Sequence, residues 1–156
     1  MKHKRPKVGD VIEIQTPKGL SYAQYTYKHD VPPKYGALLR VFPGFYMKRP
    51  NDFSSIVNQN PQIITFFPLG AACNRGIVHV VANKKIPESA TKLPTFRTGI
   101  PDIYGKVKIW WLWDGVREWK VGKFKKGMEK YPIRGVWNDT LLIQRIAEGW
   151  SHENVT

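Results

Sequence analysis

Apolar and polar positions alternate in short runs over most of this chain and adopt helical spacing only near its end. Val8–Gln15 alternates and stops at Thr16-Pro17-Lys18-Gly19, a cluster with strong turn chemistry. Leu20–Tyr27 alternates again and is rich in tyrosine. Tyr35–Phe42 follows the Pro32-Pro33 break and ends at Pro43-Gly44. Ile63–Phe67 and Gly76–Ala82 are apolar and β-branched, as strands require. Between them, Phe45–Pro61 mixes Pro, Asn, Asp and Ser and predicts a long connection with at most a short helix near Phe53–Val57. Lys84–Pro101 contains several prolines and predicts a looser stretch.

The period changes after Trp137. Asn138 is a good N-cap and Asp139 a favourable first-turn anion. Trp137 and Leu142 occupy the two positions of a hydrophobic staple. Leu142, Ile143, Ile146 and Ala147 then share one side, and Gly149 marks the stop. With no repeat and no composition shift, the pattern predicts one β-rich α+β domain over residues 1–156. Its expected architecture is a single antiparallel, partly barrel-like sheet with one C-terminal α-helix packed on it.

Ile109-Trp110-Trp111-Leu112-Trp113-Asp114-Gly115 places three of six tryptophans directly before a turn signal. Adjacent strand residues point to opposite faces, so these rings cannot all be buried on one side. A two-residue turn at Asp114-Gly115 would set Trp113 against Val116, Trp111 against Glu118 and Trp110 against Trp119. Trp111 and Trp113 then read as core. The Trp110–Trp119 pair, framed by Lys108, Arg117 and Lys120, is either covered by the terminal helix or forms a stacking and cation–π platform. These five residues are the candidate binding surface, with Tyr22 and Tyr25 as a second aromatic group.

Charge widens the range of partners. The chain carries +13, divided as +7 over residues 1–78 and +6 over 79–156, so the positive field belongs to the whole domain. Local concentrations occur at Lys2–Lys7, in an N-terminal segment 1–7 expected to be flexible, and at Arg117–Arg134. Such a field attracts anionic partners, including nucleic acid and acidic protein, although a solvated basic face accounts for it equally well. Cys73 is the only cysteine, which excludes an intrachain disulfide framework. With no apolar leader and no segment long enough to span a bilayer, a cytoplasmic location is expected.

Candidate chemistry is sparse. His3, His29, His79 and His152 show none of the local pairings that fix a metal, so no metal or cofactor is expected. Cys73 in Leu69-Gly70-Ala71-Ala72-Cys73 reads as a small buried hydrophobe rather than a nucleophile based by His79. Asp10, Asp114 and Asp139 are explained by a strand start, a turn and a helix start, and no catalytic residue is assigned. A binding module outranks an enzyme on these residues.

Lys7-Val8-Gly9-Asp10-Val11-Ile12-Glu13-Ile14, Leu20–Thr26, Tyr35-Gly36-Ala37-Leu38-Leu39-Arg40-Val41 and the Trp-rich C-terminal blocks together resemble the immunity protein 26 family. That group of small bacterial proteins also takes in the HocA-type phosphotriesterases. The resemblance implies a bacterial cytoplasmic protein that binds and neutralises a cognate toxin. A phosphotriesterase-like hydrolase is the alternative, and non-specific nucleic-acid binding a weaker one. At +13 the expected toxin surface is acidic or mixed.

Overall fold

The computed structural model describes residues 5–156; residues 1–4 lie outside it, and with them most of the segment 1–7 expected to be flexible. Five antiparallel strands form the larger sheet: β1 (Asp10–Thr16), β2 (Gly19–His29), β3 (Gly36–Val41), β4 (Ile63–Phe66) and β5 (Val78–Asn83). Their order, β4-β3-β2-β1-β5, leaves β4 and β5 at opposite edges, so the sheet is open and not barrel-like. The β1–β2 turn forms where Pro17 and Lys18 promised it. The Thr16 hydroxyl accepts from the Lys18 N–H and donates to the Gly19 carbonyl.

Alternation gives this sheet two apolar faces. On one, Ile12, Ile14, Ala23, Leu39, Val41 and Ile63 are buried. Helix α3 (Asp139–Glu148) covers them with Leu142 and Ile146. Each of those two side chains contributes roughly 1.5–3 kcal/mol of burial. The expected caps are present: Asn138 Oδ1 accepts from the Leu141 N–H at 2.8 Å, and Gly149 takes the left-handed conformation. Trp137 and Leu142 belong to the same cluster, as a hydrophobic staple requires. The other face buries Val11, Tyr22 and Phe42 beneath a lid made by the 45–57 connection and its short helix α1 (Ser54–Val57). A second short helix, α2 (Leu69–Asn74), begins at Pro68 and was not predicted; it buries Cys73, as expected for that residue.

A second, three-stranded sheet was not foreseen. It consists of β6 (Phe96–Thr98), β7 (Trp110–Trp113) and β8 (Glu118–Gly122), in that order. Residues 132–137 connect the two sheets. Phe66 N donates to Gly135 O and Trp137 N to Phe66 O along the edge of β4. Arg97 N donates to Pro132 O and Arg134 N to Arg97 O along the edge of β6. One irregular segment thus bonds to one edge of each sheet.

The β7–β8 connection also departs from expectation. Asp114 Oδ1 accepts from the backbone N–H groups of Val116 and Arg117, drawing four residues into the loop. Trp113 therefore faces Glu118, Leu112 faces Trp119 and Trp111 faces Lys120, two residues out of the predicted register. A bulge before Trp111 then sets Trp110 against Gly122. At the turn, Gly115 has φ +105°, and a Cβ there would stand 2.4 Å from Leu93 Cδ2. Gly115→Ala combines left-handed strain with a clash in a buried contact. Urea unfolding is expected to show a loss of about 1–3 kcal/mol; an unchanged midpoint would mean that the Leu93 contact is not formed.

Candidate functional site

The smaller sheet presents its two faces differently. On one, Trp110 and Leu112 are buried with Val107 and Met128, and Phe124, Tyr131 and Val155 pack beside them. Trp110 keeps 1% of its exposure, and the guanidinium of Arg97 lies 4.7 Å from its ring centroid. Helix α3 takes no part in this cover, because its apolar side is spent on the larger sheet. Trp110 is therefore covered as the scaffold reading expected, but by the chain's C-terminal turns rather than by the helix.

The other face is half open. Trp113, near the turn, is sealed by Leu38, Phe66 and Phe96. Trp111, two residues back, lies beyond that seal and is 37% exposed, so it is not core. It lines a groove of about 470 Å³ together with Ile109, Lys108, Lys120 and Arg134. Thr98, Gly99, Ile100 and Asp102 complete the far wall. Gly99 allows the wall to close in: a Cβ there would meet Val107 Cγ1 at 2.2 Å. Asp102 Oδ1 accepts from the N–H groups of Tyr104 and Lys106 and holds the rim loop in a turn. At its tip, Ile103 and Tyr104 are 92% and 87% exposed.

Of the predicted surface residues, Lys108 and Lys120 meet at this groove. Trp119 is exposed, but it faces Leu112 and so lies on the opposite side of the sheet from Trp111. Arg117 is at the turn, within 3.8 Å of Asp114 Oδ2. Tyr22 and Tyr25 are buried in the two cores of the larger sheet and form no surface group. Tyr22 donates its hydroxyl to Glu13, whose carboxylate also receives Arg49 at 2.7 and 3.0 Å. The Arg49 hydrogen bond is the main reason that the Glu13 carboxyl is held below its usual range. Trp111, Ile100, Asp102, Lys106 and Arg134 were missed as site residues. A signal did exist: the face assigned to Trp111 also carried Glu118 and Lys120, a carboxylate and an ammonium that need water.

Electrostatically the groove is basic with two carboxylates. Glu118 is engaged by Arg134 at 3.0 Å, and Asp102 by its own turn. Lys106, Lys108 and Lys120 form no ion pair among the described residues. The groove therefore offers a ring for stacking, aliphatic walls and three uncommitted cations.

The histidines serve the scaffold. His29 bonds Gly115 O through Nε2 and receives the Tyr35 N–H at Nδ1, tying β2 to the hairpin turn. His79 pairs with Glu13, which is level with Tyr22; His29 lies seven residues further along β2, so roughly 20 Å separates the two. No group of three His, Cys, Asp or Glu side chains converges among the described residues. Burial pushes the Cys73 thiol above its ordinary value, opposite to what a nucleophile needs. Among the described residues, no helix is long and apolar enough to cross a membrane. Comparison with family models, curated proteins and solved structures finds no match for this chain.

His152 gives this region a pH dependence. The Ile64 N–H points at its Nε2 and the Ile133 N–H at its Nδ1, both at 3.0 Å. A neutral imidazole has one lone pair for these donors and an imidazolium has none, so protonation sets N–H against N–H. Burial is the largest cause, with Arg97 next, of a pKa lowered to about 4. The unfolded chain binds the proton near pH 6.5, so stability is complete above that value and falls as pH drops towards 4. Urea midpoints measured from pH 7 to 4 should fall in the native protein and flatten in His152→Gln. An equal slope in both would remove His152 as the cause.

Proposed function

We propose that this chain is a binding protein that acts by stoichiometric occupation of a partner protein, engaging through the Trp111 groove a segment that carries carboxylates beside apolar side chains. The supporting observation is an exposed tryptophan set between unpaired lysines, in a chain that buries Trp110, Trp113 and Trp137. Aromatic anchors of this kind dominate protein interfaces. Ile100, Ile103 and Tyr104 extend the apolar surface along the rim. Trp111 is the one ring that lines the groove and the rest of its apolar wall is aliphatic, which suits the apolar side chains of a protein segment better than a run of stacked bases. The overall +13 selects an acidic surface and accelerates encounter with it. A cognate toxin, the partner implied by the resemblance to immunity protein 26, would fill this role.

Fluorescence anisotropy with three labelled probes tests this reading: a peptide of Asp/Glu alternating with Leu/Phe, the same peptide with Lys for the acids, and a single-stranded oligonucleotide. Saturable, salt-sensitive binding of the acidic peptide alone is expected. Trp111→Ala should weaken it about tenfold or more, as should Lys108→Glu with Lys120→Glu. The lysine changes should leave the unfolding midpoint nearly unchanged, because both side chains are at the surface, so loss of binding there is not loss of fold. Preference for the oligonucleotide would replace this proposal with nucleic-acid binding. Undiminished peptide binding by both variants would move the site elsewhere.

A further inference from the structure

The smaller sheet ends at β8, and among the described residues no strand, bridge or backbone hydrogen bond reaches its outer side. Two sets of bonds at the margins of the sheet fix which groups that edge presents. Asp114 N donates to Arg117 O, and bonded and unbonded pairs alternate along an antiparallel ladder. Leu112–Trp119 is therefore a bonded pair, while Trp113–Glu118 and Trp111–Lys120 are unbonded ones. At the far edge, Arg97 spends its N–H and C=O on Pro132 and Arg134, so β7 turns Trp111 and Trp113 towards β6 and Leu112 towards β8. Both routes leave the N–H and C=O of Glu118 and Lys120 pointing out of the sheet, with Trp119 bonded inwards. All three residues are exposed.

The side chains along this edge differ by face. Lys120 stands directly across the ladder from Trp111 and lines the groove. Glu118, on the same side, has its carboxylate held by Arg134 at 3.0 Å. Trp119 stands on the opposite side and is 40% exposed, out of reach of a ligand confined to the groove. We propose that β8 accepts an extended segment of the partner as a fourth strand, with acidic side chains opposite Lys120 and apolar side chains against Trp119. This rests on the reading of the groove as a protein-binding site and specifies the conformation in which the partner enters it. Four outward backbone groups supply the pairing, and the period-two alternation of an added strand supplies both chemistries at once. A second copy of this chain is a poor occupant, because each copy carries +13. β5, the other terminal strand, reads Val-His-Val-Val-Ala-Asn and offers neither lysine, arginine nor an indole.

Amide hydrogen exchange, read residue by residue by NMR, tests the proposal on the free chain and with the saturating peptide of alternating Asp/Glu and Leu/Phe. In the free chain Trp119 should be protected and Glu118 and Lys120 should not. The peptide should slow exchange at those two by about tenfold or more. Peptides N-methylated at the acidic positions should bind about tenfold or more weakly, because antiparallel pairing turns those N–H groups towards β8. Methylation at the apolar positions should leave binding unchanged; the opposite selectivity would also support strand addition, in parallel pairing. Trp119→Ala should weaken binding as well. Unchanged exchange at Glu118 and Lys120 with peptide bound, or equal effects of the two methylated sets, would overturn the proposal. So would protection of both amides in the free chain that rises with chain concentration, which would assign the edge to a second copy. Binding that responds to Trp111→Ala but not to methylation would leave the groove standing without the strand, and the reverse pattern the strand without the groove. A peptide that does not bind at all would sink both.

Discussion

The stapling of two sheet edges by residues 132–137 is the constraint on which the rest of the structure depends. Without it, β4 and β6 would each present unpaired backbone groups, and the smaller sheet would have only side-chain contacts to fix its place. Arg97 reinforces the join from inside. Its guanidinium lies over the Trp110 and Phe124 rings and donates to the carbonyls of Tyr131 and His152. Carbonyls rather than carboxylates receive this charge, so the arginine gathers two pieces of backbone without a buried acid. His152, whose carbonyl is among those acceptors, then places its ring between the Ile64 and Ile133 N–H groups. Through this one residue the larger sheet, the bridging segment and the C-terminal turn share a hydrogen-bonded node.

Elements with a strong local signature were legible in the sequence. The alternation of β1 to β5 and the caps of α3 depend on neighbours a few residues away, and all of them formed close to their expected places. The smaller sheet was harder to read for a physical reason. β6 is three residues between Pro94 and Gly99, too short for alternation to register, and one of its two edges is bonded by a segment more than 30 residues later. The hairpin register was lost to a single side chain: Asp114 caps two N–H groups, which the dipeptide Asp-Gly does not announce. Because the slip was two residues, each side chain kept its predicted face. Face was therefore right for Trp111 while its cover was wrong, and its exposure had to come from the tertiary structure.

Cover, rather than facing, separates scaffold from site in this chain. Trp111 and Trp113 share a face; one is sealed by Phe66 and Phe96, and the other lies where that seal ends. The boundary follows from the geometry of the join, since the larger sheet reaches only the turn end of the hairpin. There, His29 holds Gly115 and Leu93 leaves no room for a Cβ. On the Trp111 face the opposite end of the hairpin projects past the larger sheet, with the Ile100–Val107 loop and Arg134 beside it. An edge that projects with apolar and cationic side chains is a liability for a protein that meets no partner. Closing it would have required one more aromatic residue from the rim loop turned inward. Instead, Ile103 and Tyr104 turn outward, which leaves the groove open and adds apolar surface to its margin.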